Sequence, residues 1–188
     1  VWPLFTRCEL SPARLLDRFI VPLVPVASDM ASSFAWLYAA STLDEEDRLS
    51  LLGHGDELVV NEQDELATRL SRLARELAAA DLLPQEVPDR CEQLNLPLDI
   101  DAWAAIITTH TTMLAELERM GLADRDAAHG RALKDGRLHA SGIHHITVVA
   151  ADLQPRPERC LELLAESGIE VTAIVHGDEK SWADTCSQ

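Results

Sequence analysis

The sequence predicts an α/β protein that is largely helical and closes in a parallel β-α-β unit. Three observations predict it. Apolar residues recur at helical spacing in segment after segment up to residue 137. Beyond that point two β-branched apolar runs, 143–150 and 169–175, bracket one amphipathic stretch. With 188 residues, 47% of them apolar, the chain is able to bury a sizeable core and is not an acidic disordered tail. The expected organisation is a mainly helical region over 1–137 and a βαβ part over 138–188.

The first helix starts at Ser11-Pro12, where Ser supplies a cap and Pro at the first helical position gives up no needed donor. The two prolines within Ile20–Val26 make that apolar run extended linker or edge strand. Ser28 caps a second helix whose apolar set, Met30, Phe34, Leu37 and Tyr38, shares one face and leaves Trp36 pointing elsewhere. From Asn61 the stripe Leu66, Leu70, Leu73 and Leu77 marks the clearest helix, a plain core-facing surface with charges on its other faces. Pro84 and Pro88 break the chain. Asp99 or Asp101 caps a long helix through Trp103, Ile106, Ile107, Leu114 and Leu117, which Gly121 stops. A shorter helix spans 124–136.

The run Ile143–Ala150 is nearly continuous in apolar residues, as expected of a strand buried on both faces. An amphipathic helix over Pro155–Ser167 follows, closed by Gly168, and Ile169–Val175 is the second strand. A strand-helix-strand order at this spacing predicts parallel pairing with a right-handed crossover. Two parallel strands do not stand alone as a sheet. Further strands are therefore expected from the amino-terminal segment or from sequence outside the chain.

Charge narrows the function. The chain has 16 basic and 32 acidic side chains, a net of −16, which argues against free-standing nucleic-acid binding. Sixteen acidic and five basic residues lie within 44–101, a net of −11, whereas residues 119–137 carry five basic and three acidic ones. The acidic stretch reads as a solvated helical surface or as a contact for a basic partner. No apolar run approaches 18 residues, so no membrane partner is expected. The four cysteines (Cys8, Cys91, Cys160, Cys186) form no C-x-x-C pair; with no secretory signal they suit the reducing cytoplasm, and no zinc site is expected. The start at Val1, without initiator Met, suggests a piece of a longer protein.

The eight glycines make neither G-x-x-x-x-G-K-[ST] nor G-x-G-x-x-G, and Gly53-His54-Gly55 sits among acids that repel phosphate. ATP hydrolysis by this chain is not expected, nor is any cofactor. His139, His144 and His145 lie close in sequence, but neighbours on a strand point to opposite faces and do not share one metal. His110 sits among threonines with no partner at ligand spacing, and Cys160 reads as inert core. Asp152, just past a buried parallel strand, has two readings: a ligand-contacting acid of the kind that holds Mg²⁺ in nucleotide hydrolases, or the cap of the helix that starts near Pro155. Asp178, after the second strand, has the same two readings.

The run Ile146-Thr-Val-Val-Ala-Ala-Asp-Leu-Gln-Pro155, then a leucine-rich helix, then Val171-Thr-Ala-Ile-Val175 and Asp178, resembles a stretch of AddB-type proteins. Leu114–Asp124 resembles the helix end that precedes it there, and Thr6–Leu15 is similar to the segment that follows the first strand and degenerate phosphate loop. AddB-type proteins are subunits of bacterial recombination helicase–nucleases with an inactivated superfamily 1 helicase-like region. The resemblance implies a P-loop-NTPase-like sheet at the carboxyl end, with the acidic middle as a helical insertion. It places Asp152 at the Walker-B-like nucleotide and Mg²⁺ position, although Leu153 follows where helicases usually have Glu. It further implies a helicase–nuclease partner subunit, DNA contact through a parent protein, and a scaffold or DNA-scanning role without catalysis. Two other functions compete: a small metal- or nucleotide-dependent hydrolase using Asp152 with His144 or His145, and a protein-interaction domain using the acidic helices.

Overall fold

The computed structural model describes residues 12–149, 153–175 and 178–181. Among them are eight α-helices and one small sheet, so the chain is mostly helical with a parallel strand pair near its carboxyl end. It divides into two compact units, one formed by the chain through Val21 together with Arg131 onward, the other by Pro22–Gly130.

The first unit holds α1 (Pro12–Phe19), β1 (His145–Val149), α8 (Pro155–Glu166), β2 (Glu170–Val175) and β3 (Asp178–Ser181). β1 pairs with β2 in parallel, Ile146 opposite Val171 and Val148 opposite Ala173, as the strand-helix-strand order predicts. α8 is the crossover, and Cys160, Leu161 and Leu164 form its buried face. They pack with Leu16 and Phe19 of α1, with Ile169 and with Val171. Gly168 turns the chain from α8 into β2 with φ +93°, a conformation that side chains with a Cβ rarely adopt. Backbone bonds from Val21 N–H to the Arg137 carbonyl and from His139 N–H to the Phe19 carbonyl tie the two stretches of this unit together.

Two sequence expectations fail here. β1 is not buried on both faces: Ile146 and Val148 pack against the core, while His145, Thr147 and Val149 are exposed, Val149 at 77%. The apolar run is continuous, but only one face of the strand is covered. β3 was not expected at all. Its residues, Asp-Glu-Lys-Ser, have no strand pattern, and it pairs antiparallel with β2, Asp178 opposite Val175.

The second unit is built from α2 (Asp29–Ser41), α3 (Glu45–Leu52), α4 (Val60–Ala79), a 3-10 turn (Pro84–Glu86), α5 (Val87–Gln93) and α6 (Ile100–Arg119). α7 (Arg125–Lys134) begins in this unit and ends in the first. Helix starts follow local chemistry: Ser28 Oγ accepts from Ala31 N–H, Asp99 Oδ1 from Ala102 N–H and Asp124 Oδ1 from Ala127 N–H. Gly121, at φ +71°, takes the chain out of α6. Pro84 and Pro88 start helical turns instead of breaking the chain, because each stands in the first turn where its missing N–H costs nothing.

Of the four residues expected on the core face of α2, only Leu37 packs against the core, part-buried, and the helix is turned away from the other three. Trp36, Ala35, Ala39 and Ala40 are buried, while Met30, Phe34 and Tyr38 are 83%, 53% and 44% exposed. The small alanines let α2 approach α4 and α6 closely, and Trp36 fills the space between them with Leu66, Leu70, Met113 and Leu117. The ends of this unit meet: Ala27 N–H donates to the Ala123 carbonyl and Ala123 N–H to the Pro25 carbonyl, each at 2.9 Å.

Candidate functional site

The sequence points to the carboxyl end of the parallel pair. The register sets Val149 beside Ile174, so β1 and β2 end on the same side of the sheet, where α/β proteins gather ligand-contacting groups. Asp152 follows β1 by three residues but lies outside the described residues. α8 begins at Pro155 with Gln154 as its N-cap, whose carbonyl accepts from Glu158 N–H at 3.1 Å. Asp178 is not a loop acid. It opens β3 within the β2–β3 hairpin, and its backbone is committed to the ladder with Val175.

The histidines stand elsewhere. His145 Nε2 lies 3.1 Å from Thr172 Oγ1, a cross-strand pair on the exposed face, and the His144 carbonyl accepts from Glu170 N–H. Both are at the amino end of β1, roughly 13 Å along the strand from the end that leads to Asp152. Among the described residues no three His, Cys, Asp or Glu side chains come together as a metal-holding group. Gly53-His54-Gly55 is a helix-ending turn: Gly53 sits at φ +78°, and Arg48 donates to the carbonyls of Leu43 and Gly55. A Cβ at Gly55 would come within 2.7 Å of Glu45 Cγ, so the Glu45 side chain lies directly against this turn.

Sequence reading missed a buried polar row on α6. Thr109, His110 and Glu116 are all buried. Thr109 Oγ1 bonds back to the Ala105 carbonyl, and Glu116 receives two bonds from Arg119, at 2.7 and 2.8 Å. That pairing holds the Glu116 carboxyl below its ordinary range. His110 touches both the Trp36 ring and the Gln85 amide, and burial pushes its imidazole below its ordinary value, opposed by the charge of Asp124. Its spacing to Gln85 and Trp36 in the sequence gave no signal; only the fold joins them. Cys160 is buried as expected, and burial pushes its thiol up to about 12.

No protein-family model, curated protein or solved structure matches the chain.

Charge separates the two units more sharply than the sequence blocks do. Pro22–Gly130 has 21 acidic and seven basic residues, a net of −14, and the rest of the chain has eleven acidic and nine basic, a net of −2. No helix among the described residues is long and apolar enough to cross a membrane.

Proposed function

We propose that this chain is a non-catalytic, helicase-like scaffold from a DNA-repair helicase–nuclease subunit of the AddB type. The observation that carries the reading is the parallel β1–α8–β2 unit, whose first strand is followed in sequence by Ala151-Asp152-Leu153-Gln154-Pro155. Such a unit is the working half of a nucleotide-binding sheet, and Asp152 stands where a Walker-B acid would follow its strand. Leu153 replaces the water-activating Glu, and the sequence contains no phosphate-loop motif, so the unit keeps the frame of an NTPase without its chemistry. The large acidic helical unit lies between the two stretches that form the sheet-bearing unit, as an insertion in a helicase-like domain would. Any DNA contact belongs to the nearly neutral first unit, because the −14 unit repels phosphate.

The test is fluorescence anisotropy of a labelled tailed duplex with the 188-residue chain, alongside ATPase measurements. Weak binding at about 50 mM salt that is lost by about 200 mM, without ATP turnover, supports the reading. ATP turnover abolished in Asp152→Ala overturns it and restores the hydrolase.

A further inference from the structure

We propose that the segment 83–96 is a flap latched onto α6 by the neutral ring of His110, and that acid opens it. The segment comprises the 3-10 turn and α5, and its backbone hydrogen bonds close within itself. Leu83 N–H donates to Glu86 Oε2, Glu86 N–H to the Leu83 carbonyl, Leu94 N–H to the Arg90 carbonyl and Leu96 N–H to the Cys91 carbonyl. Among the described residues one hydrogen bond leaves the segment, from Gln85 Nε2 to His110 Nδ1 at 3.5 Å. α5 packs on the turn, and the turn packs on α6. Pro84 and Val87 are the buried anchors, and Val87 belongs to neither hydrophobic core. A cleft of about 400 Å³ opens between α5 and the end of α4. Asp81 at φ +57° and Asn95 at φ +52° stand at the two ends, at element termini of the kind that serve as hinges. A segment with self-contained bonds and few buried contacts opens at lower cost than the long helices of its unit.

The latch holds while the ring is neutral. With Gln85 Nε2 as the donor, His110 Nδ1 has to accept, which it does only as a bare lone pair. A proton on Nδ1 sets two donors face to face and leaves a cation in a site that is 5% exposed. The surrounding elements do little to offset that charge. α2 presents the Trp36 ring, the turn presents Gln85, and Glu86 beside it is turned back to the Leu83 amide. α3 and α4 also pack on α6 and bring no charge that acts on the ring. The carboxylate of Asp124, past the end of α6, is the one that does, and burial outweighs it. Gln85 is itself exposed, so lifting the flap brings water to the ring, and water accommodates the charge. Release of the flap and uptake of one proton are therefore a single event. The device lies wholly within Pro22–Gly130, so it stands or falls independently of the helicase-like reading.

The test is amide hydrogen exchange of the full chain, read by mass spectrometry from about pH 5 to about pH 8 and corrected for the intrinsic pH dependence of exchange. Residues 83–96 are expected to be less protected than the buried stretch of α4 at every pH. Their protection should fall by up to about tenfold per pH unit below 6.5. Gln85→Ala, at an exposed position, is expected to keep the helical circular dichroism of the parent and to lower the protection of 83–96 about threefold or more. His110→Gln should flatten the pH profile of the segment. Equal protection of 83–96 and α4 overturns the proposal, because the segment then opens only when the whole unit unfolds. A flat profile in the parent, or no change in Gln85→Ala, overturns it by removing His110 as the latch. A slope that survives in His110→Gln overturns it in favour of another titrating group. Should His110→Gln fail to fold, the parent profile and Gln85→Ala decide.

Discussion

The imidazole of His110 lies 5.9 Å from the indole of Trp36, centroid to centroid, with the ring planes tilted by 37°. The pair joins α6 to α2 inside the acidic unit, and Gln85 Nε2 approaches His110 Nδ1 at 3.5 Å. Charging that ring means placing a cation in a site built for a neutral one.

Stability should therefore depend on pH through His110. Its folded value is lowered from 6.5, so below 6.5 the unfolded chain takes up a proton that the folded chain does not. The contribution is fully present above 6.5 and is lost as the pH falls toward the folded value, with a limiting slope of about 1.4 kcal/mol per pH unit. Urea unfolding at stepped pH values above the carboxylate range measures the slope. His110→Gln, which stays neutral, should flatten it; an unchanged slope would assign the effect to another histidine.

The orientation of α2 makes an asymmetric prediction for single substitutions. Trp36→Ala removes a buried ring from the contact with Leu66, Leu70 and Met113 and should cost about 3–5 kcal/mol. Met30→Ala, on the exposed face, should change stability by less than about 0.5 kcal/mol. Ala35→Leu should cost about 1–3 kcal/mol, because the close approach of α2 to its neighbours leaves no room for three more carbons. Denaturant melts of the three variants decide it; equal costs at positions 30 and 36 would mean that the helix is turned the other way.

Thiol chemistry should separate two cysteines. Cys160 is buried with its thiol pushed up to about 12, whereas Cys91 is partly exposed on α5. Iodoacetamide at neutral pH, followed by peptide mass mapping, should label Cys91 in the native protein and Cys160 only after denaturant is added. Native labelling of Cys160 would show that α8 leaves the sheet readily.

α3 depends on its cap. Asp44 Oδ1 accepts from Asp47 N–H at 2.8 Å, and the helix behind it has no fully buried residue, only Leu51 and Leu52 packed part-buried against the core. Asp44→Ala should cost about 1 kcal/mol and Asp44→Asn almost nothing, since Asn caps as well. Amide exchange within 45–52 reads the difference locally. Similar exchange in both variants would show that Arg48, through its bonds to Leu43 and Gly55, holds the helix without the cap.

What could be read from the sequence is what local chemistry decides. Ser28, Asp99 and Asp124 announce their helices because a side-chain oxygen and a following amide are all a cap requires. Gly121 and Gly168 announce the exits because few other residues adopt their φ. The face of α2 was not legible. Its sequence, Met-Ala-Ser-Ser-Phe-Ala-Trp-Leu-Tyr-Ala-Ala, is apolar on several sides, and the choice fell to the alanines, which permit close helix packing that a count of large side chains overlooks. β3 escaped because a hairpin partner, not its own pattern, makes Asp178–Ser181 a strand. The short α3 escaped because it has no buried stripe. Of the candidate site, the shared carboxyl end of the two strands was legible from the strand-helix-strand order, and Asp152 itself lies outside the described residues. His110 was passed over because its partners, 25 positions back in Gln85 and farther back in Trp36, are brought to it only by tertiary folding.

The paired bonds between Ala123 and the segment Pro25–Ala27 close the acidic unit at its own neck. In the first unit, the bonds from Val21 N–H to the Arg137 carbonyl and from His139 N–H to the Phe19 carbonyl hold its two stretches side by side. Pro22–Gly130 therefore begins and ends at one place, so a change in the length of its internal loops leaves the spacing of its two ends as it is.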